Sequence, residues 1–340
     1  MKVMVTGAAG FIGGYLVEEL LSAGYEVIGI DNFSKYGERN ARSLRNSRYQ
    51  LLCQDAKDSA LLKELLIDCD QLVAGAAMIG GISYFHDLAF DLLAENERIM
   101  ASTFDAAINA HKYGNLQKIT VLSSSMVYGG ATVVPFAEGD ELLNPPPRSA
   151  YGFQKLAVEY YAKAAYDQHG LPYTIVRPFN CVGIGETRAV ASRQISSGDL
   201  KIALGHVVPD LIQKVLRGQN PLRILGSGDQ VRTFTYGGDM ARGIRLCMEH
   251  PAALNEDFNL SSAQALTICD VARLIWQKLH GARKPFVYVS EEPFPHDVPI
   301  RIPAVEKAKR LLGFEAATPL TEVLDELIPW IQKQMLVGAL

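Results

Sequence analysis

The sequence predicts an α/β fold: a doubly wound parallel sheet with helices on both faces, joined to a smaller C-terminal α/β part. Three observations predict it. The chain opens on an apolar strand, a glycine-rich turn and an amphipathic helix. Strand-like and helix-like stretches then alternate as far as residue 180. The alternation gives way after Cys181 to a long polar run. Repeated strand and helix is the pattern of parallel βαβ units.

Lys2 to Thr6 is a short apolar strand containing Val3, Met4 and Val5, followed by Gly7-Ala8-Ala9-Gly10-Phe11-Ile12-Gly13. Leu16, Val17, Leu20 and Leu21 then recur at helical spacing, and Val27 to Ile30 is a second strand ended by Asp31. Gly7 permits a tight turn, Gly10 lets backbone approach a pyrophosphate, and Gly13 lets the helix pack close to the strand. The helix N-terminus, with Phe11 and Ile12, then faces the phosphates. Asp31, with Asn32 beside it, can accept hydrogen bonds from ribose hydroxyls and would repel a 2′-phosphate. NAD is therefore favoured over NADP, and Lys35 and Arg39 weaken that preference a little. The unit reads as the start of a Rossmann-type sheet; the alternative is a structural glycine turn of another α/β fold.

Further strands are expected at Gln71–Ala74, Ile119–Ser123 and Tyr173–Arg177, and helices at Leu88–His111 and Tyr151–His169. Asn144-Pro145-Pro146-Pro147 makes a rigid approach to the second of these helices. Residues 183–205 are polar and aperiodic and read as a flap near a substrate, with plain disorder as the alternative. A helix at Val208–Arg217 and strands near Arg223–Leu225 and Arg232–Tyr236 follow. The Gly238–Glu249 helix and Phe258–Leu260 strand are expected to return to the first domain. The remainder reads as helical with one strand at Phe286–Val289, closing on an amphipathic helix marked by Leu320, Val323, Leu324, Leu327 and Ile328. The expected organisation is a cofactor domain over 1–180 that regains 237–260, and a substrate domain made of 181–236 and 261–340.

Of the 340 residues 48% are hydrophobic, enough for a large core or two. A net charge of −4 with scattered basic residues gives no nucleic-acid footprint. The five cysteines, Cys53, Cys69, Cys181, Cys247 and Cys269, include no C-x-x-C pair, which argues for reduced thiols in a cytoplasmic protein. Cys181 reads as a small buried residue, with a place at the substrate site as the alternative. The seven histidines are isolated, so no metal site is expected. No signal peptide and no membrane span are expected.

Tyr151 and Lys155 are four residues apart, on one face of a helix. A lysine beside a tyrosine favours the phenolate and makes a base able to take a proton from an alcohol. Alone, the pair is also what an ordinary surface helix carries. With the G-x-x-G-x-x-G turn, however, the chain resembles the extended short-chain dehydrogenase/reductase superfamily, and within it the nucleotide-sugar epimerases and dehydratases. By that resemblance Asp55 and Ala56 contact the adenine side. The segment Leu72–Ala77 turns against the cofactor at Ala76, and Asn96 lies on the nicotinamide side. Ser123-Ser124-Ser125-Met126-Val127-Tyr128-Gly129 resembles the strand carrying the catalytic hydroxyl, which aligns to Ser124 with Ser125 second. Arg177-Pro178-Phe179-Asn180 resembles the strand end leading to the sugar nucleotide. Arg232-Thr233-Phe234-Thr235-Tyr236, with Asp239, resembles the segment that closes on its diphosphate.

The resemblance implies that Tyr151 takes a proton from a sugar hydroxyl while NAD accepts the hydride, with Ser124 sharing the substrate hydrogen bond and Lys155 holding the cofactor ribose. Dehydratases of this type carry acidic residues after the catalytic hydroxyl, and decarboxylases a glutamate at the position of Met126. The GDP-mannose epimerase group has a cysteine there. A thioether cannot titrate, so Met126 argues against all three and suits a 4-epimerase, which needs no further acid or base. The loop from Ala76 to Phe85, with Gly80 and Gly81, resembles that of the GDP-mannose epimerase group and leaves the sugar and base open. Arg301-Ile302-Pro303-Ala304 departs from the family's acidic residue after the proline; Arg301 is expected to reach the nucleotide phosphates or to lie in solvent. The expected activity is an NAD-dependent nucleotide-sugar 4-epimerase, with a dehydratase or net dehydrogenase/reductase on the same scaffold as the alternative. A non-catalytic NAD-binding protein is the remaining reading. A homodimer through helices 88–111 and 151–169 is expected.

Overall fold

Residues 1–37, 42–79, 88–186, 206–281, 284–292 and 298–340 are described in the computed structural model. The chain alternates β1 (Lys2–Thr6), α1 (Phe11–Ser22), β2 (Glu26–Asp31), β3 (Tyr49–Cys53), α2 (Ser59–Leu66) and β4 (Gln71–Ala74). It continues through α3 (Ala89–Tyr113), β5 (Lys118–Leu122), the short α4 (Asp140–Leu143), α5 (Ala150–His169) and β6 (Tyr173–Pro178). It then leaves the sheet for β7 (Cys181–Val182), α6 (Val207–Leu216), β8 (Leu222–Leu225), β9 (Val231–Thr233) and β10 (Thr235–Tyr236). Helix α7 (Gly237–Glu249) brings it back as β11 (Glu256–Leu260). The sheet order is β3-β2-β1-β4-β5-β6-β11, with every pairing parallel. Strand β11 thus sits at the edge of this sheet, paired with β6.

Strand alternation decides which helix meets which face. On β1, Val3 and Val5 join α1 and α7 through Leu16, Leu20, Met240 and Ile244. Met4, pointing the other way, joins α2, α3 and α5 through Leu66, Phe104 and Val158. β4 repeats the split, with Val73 on the first face and Leu72 and Ala74 on the second. Both faces are covered, and the buried runs of β4 and β5 contain no exposed position.

A second part follows with β12 (Ala265–Thr267), α8 (Ile268–His280), β13 (Tyr288–Glu291), β14 (Ile300–Arg301), α9 (Glu306–Leu312) and α10 (Leu320–Leu336). Its core joins Leu211 and Ile212 of α6, Ile275 and Trp276 of α8, and Leu324 and Leu327 of α10. The closing helix thus buries the stripe the sequence marks. Two readings change. The expected strand Arg232–Tyr236 is two strands: β9 joins β12 and β14, and β10 joins β7. The described residues of 261–340 hold three strands rather than one, because β12 and β14 are short partners of β9. The expected flap falls mostly in 187–205, outside the described residues.

Candidate active site

Parallel strands of this order open a crevice where β1 and β4 diverge, at their carboxyl ends. The three expected catalytic side chains gather beside it. Ser124 follows β5 in extended backbone and caps the 3-10 turn Ser125–Tyr128, its Oγ accepting the Met126 N–H at 3.2 Å. Tyr151 lies in the first turn of α5, whose N-cap Ser149 accepts the Gly152 N–H at 3.1 Å. Such a cap contributes about 1 kcal/mol. Gly152 is needed for close approach: a Cβ there would stand 2.7 Å from the Met126 carbonyl oxygen and 2.7 Å from Pro147 Cβ. The first turn of α5 therefore seats directly on the turn that carries Ser124.

The Tyr151 phenol is buried and hydrogen-bonds Ser124. Burial pushes it up to about 12; the Ser124 hydrogen bond and the Arg301 charge pull it back. The sequence reading gave that last task to Lys155. In the structure Lys155 Nζ instead donates to the Leu122 carbonyl at 2.8 Å and stands 5.9 Å from the Tyr151 ring centroid. Burial pulls the Lys155 ammonium down to about 8, and Glu159 opposes that fall.

The glycine turn is built as read, with one shift of emphasis. Gly7 has φ of +75°, and its N–H donates to the Ile30 carbonyl at 2.7 Å. A Cβ on Gly13 would stand 2.1 Å from the Gly7 carbonyl oxygen, and one on Gly10 would stand 3.0 Å from the same atom. Both glycines thus serve the packing of the turn on itself. Helix α1 starts at Gly10 with no side-chain cap, so its first-turn N–H groups, from Phe11 onward, suit an outside anion such as a pyrophosphate. Asp31 closes the cradle: its carboxylate accepts the Ala9 N–H at 3.0 Å and the Phe33 N–H at 2.8 Å. Asn32 Nδ2 donates to Asp55 at 3.3 Å, and the Ala56 carbonyl accepts from Ser102 at 2.7 Å. These residues fit a dinucleotide.

One support, Thr6, was not read from the sequence, and Asn96, expected on the nicotinamide side, also holds a loop in place. Thr6 Oγ1 accepts the N–H groups of Gly75 and Ala76 at 3.2 and 3.1 Å, tying the ends of β1 and β4 together. Asn96 is fully engaged by one residue: its Oδ1 accepts the Met78 N–H at 2.6 Å and its Nδ2 donates to the Met78 carbonyl at 3.0 Å. It shapes the loop after β4.

On the substrate side, Met126 packs with Met78, Ile79, Leu88 and Leu92 around Tyr151. Ser125 is buried. Asn180, at φ of +33°, donates to the Thr233 carbonyl at 2.8 Å and accepts from the Thr235 N–H at 3.1 Å, joining β6 to the second part. Arg232 is buried and donates to the Val231 and Pro299 carbonyls at 2.8 and 3.2 Å. Arg301 is its register partner on β14. Gly80 and Gly81 lie outside the described residues. Cys181 packs against the first core, and burial pushes its thiol up.

Arg177 serves the protein interior. It is fully buried, its guanidinium bidentate on Glu159 at 2.8 and 2.7 Å and 2.9 and 2.6 Å from Glu141 and Asp257. It also donates to the Tyr128 hydroxyl at 2.9 Å. This cluster stitches α4, α5, β6 and β11 together. Among the described residues no helix is long and apolar enough to cross a membrane, and no cluster of three metal-ligating side chains occurs.

The model of the NAD dependent epimerase/dehydratase family matches residues 3–261. UDP-glucuronic acid decarboxylase 1 of Xenopus tropicalis is 29% identical over 339 residues, spanning 98% of this chain and 73% of that protein. The structure of a UDP-glucuronic acid 4-epimerase from Bacillus cereus, in complex with UDP-glucuronic acid and NAD, superposes with a TM-score of 0.81 at 27% identity, covering 98% of this chain and 99% of that one. A UDP-glucose 4-epimerase from Thermotoga maritima, solved with UDP-glucose, superposes with a TM-score of 0.78 at 27% identity, covering 98% and 100%.

Proposed function

We infer the reaction from one established premise, that this chain belongs to the NAD-dependent epimerase/dehydratase family: it is a nucleotide-sugar 4-epimerase working through a transient 4-keto sugar. The observation that carries this is the surroundings of Tyr151. The apolar side chains packed on it are Leu88, Leu92, Met78, Ile79 and Met126, so the position that carries an acid in the resembling dehydratases and decarboxylases holds a thioether, which cannot titrate. Inversion at C4 needs one proton acceptor and donor at the C4 hydroxyl, and Tyr151 with Ser124 supplies it. NAD, when bound, supplies the redox chemistry at the same carbon. The first-turn N–H groups of α1 hold its pyrophosphate, Asp31 its adenosine ribose, and Lys155 its nicotinamide ribose. Arg232 and Arg301 face the substrate diphosphate.

A second reading, loss of a group from the 4-keto sugar, is favoured by the similarity to a decarboxylase. Incubating the protein and NAD with UDP-, GDP-, dTDP- and CDP-sugars, then weighing the products, separates the two. An isomer of unchanged mass without accumulated NADH supports 4-epimerisation. A product lighter by carbon dioxide or water refutes it.

The division into a cofactor part, 1–180 with 237–260, and a substrate part, 181–236 with 261–340, belongs to this proposal. So does a homodimer through α3 and α5, supported by their exposed Phe90, Tyr113, Phe153 and Tyr160. A monomeric mass by light scattering at micromolar concentration would count against it. The free thiols support a cytoplasmic setting.

A further inference from the structure

Glu159 touches neither substrate nor cofactor in the reading above, yet it is fully buried and three donors converge on it. Ser123 Oγ donates to its Oε1 at 2.6 Å. Arg177 donates to Oε1 from Nε at 2.8 Å and to Oε2 from Nη2 at 2.7 Å. The placement of these partners is what matters. Glu159 follows Lys155 by one helical turn and Tyr151 by two, on the same face of α5. Ser123 immediately precedes Ser124, and its hydroxyl also reaches the Lys155 carbonyl at 3.4 Å. One carboxylate therefore ties the strand end bearing Ser124 to the helical turn bearing Lys155, and Arg177 anchors both to β6.

We propose that Glu159 is a positioning residue for the reaction, holding the Ser124 hydroxyl and the Lys155 ammonium in register with Tyr151. Its charge acts on Lys155 as well: burial pulls that ammonium down, and Glu159 opposes the fall. The other charged or titratable groups facing this pair are Tyr151 on α5, Tyr128 in the 3-10 turn, and the Arg177 group on β6 with its partners Glu141 and Asp257. Because those two carboxylates remain beside Arg177, Glu159→Gln removes the charge and one of the two acceptor oxygens, and so breaks the bidentate clamp, without leaving the guanidinium uncompensated.

The turnover readout rests on the 4-epimerase reading. In the full chain, Glu159→Gln is expected to lower kcat about 100-fold, the scale of an ångström-sized misplacement, at near-constant KM. Ser123→Ala, which leaves the Glu159–Arg177 pair intact, should lower kcat several-fold. The alkaline limb of the kcat profile should move to lower pH in Glu159→Gln alone, because Lys155 then loses its proton earlier. Calorimetric titration with NAD across pH reads the same group without turnover. Its loss of affinity with rising pH should also move lower in Glu159→Gln. If the wild type converts no nucleotide sugar, the 4-epimerase reading fails while the NAD titration still decides this one. Folded variants with wild-type kcat and unmoved profiles overturn the inference. Should Glu159→Gln not fold, Ser123→Ala decides alone: a wild-type kcat overturns it and a several-fold fall supports it.

Discussion

The Arg301 guanidinium acts on the Tyr151 phenol across 150 residues of sequence, and its charge is what opposes the burial of that phenol alongside the Ser124 hydrogen bond. Strand β14 delivers it by pairing in parallel register with β9. Arg301→Met should therefore raise the phenol further above about 12. A base works as its phenolate, so the rise of kcat/KM with pH should move to higher pH. Arg301→Lys should move it less. An unmoved rise in Arg301→Met would show that the charge does not reach the reacting proton.

Tyr151→Phe should keep NAD bound and lower kcat by about 10²- to 10⁴-fold, the range for a lost general acid–base group. Ser124→Ala should fall less, since Tyr151 then keeps its phenol but loses the hydroxyl it bonds. Steady-state kinetics with a titration of NAD check both. A Tyr151→Phe variant that retains turnover would move the proton transfer to another group.

Gly152→Ala tests the seating of α5. The added methyl meets the Met126 carbonyl and Pro147 at 2.7 Å, and neither is the far end of a flexible chain. The helix must shift, at a cost of about 1–3 kcal/mol by analogy with overpacked cores. Denaturant unfolding should report that loss, and kcat should fall with it because Tyr151 moves too. Wild-type stability would mean the turn yields freely.

Local periodicity made the first half of this fold legible. The strand, glycine turn and helix of residues 2–22 carry their own pattern, and β4 is bounded in the structure as it is in the sequence. Among the strands not named or merged, β7, β9, β10, β12 and β14 are two or three residues long, and their hydrogen bonds go to distant partners. Such strands have no room for a period. At the candidate site, Tyr151 and Lys155 were readable from their four-residue spacing, and Ser124 from the resemblance of Ser123 to Gly129. Arg301 as a neighbour of Tyr151 was not, because only β14 pairing brings it there. Glu159 was readable in principle, one turn beyond Lys155, but its meaning depends on Ser123 and Arg177 from two other strands. The segment Arg177 to Asn180 was read, by resemblance, as the strand end leading to the sugar nucleotide; that the Arg177 side chain serves a buried cluster depends on Glu141, Glu159 and Asp257 from three other elements.

That cluster gives two carboxylates on one arginine opposite pH signatures. Burial opposes the charge of Asp257, yet Arg177 and Lys307 outweigh it and hold the carboxyl below its ordinary range. Its stabilising effect is then present above the unfolded pKa of about 3.9 and is lost as pH falls through the folded value. Burial instead pushes Glu141 up, with Arg177 only partly compensating. The native state binds its proton more tightly than the unfolded chain, so Glu141 costs stability as pH rises from its unfolded pKa of about 4.3 through the folded value. Asp257→Asn should therefore destabilise by about 1.5–3 kcal/mol at pH 7, since it takes one charged hydrogen-bond partner from a buried arginine that keeps Glu141 and Glu159, and flatten the acid limb of the stability curve. Glu141→Gln should cost less at pH 7 and flatten the decline between weakly acid and neutral pH. Urea unfolding of both variants from pH 3 to pH 8 checks the pair. Equal costs with unchanged curves would show that Arg177 treats its two carboxylates alike, against the asymmetry of their surroundings.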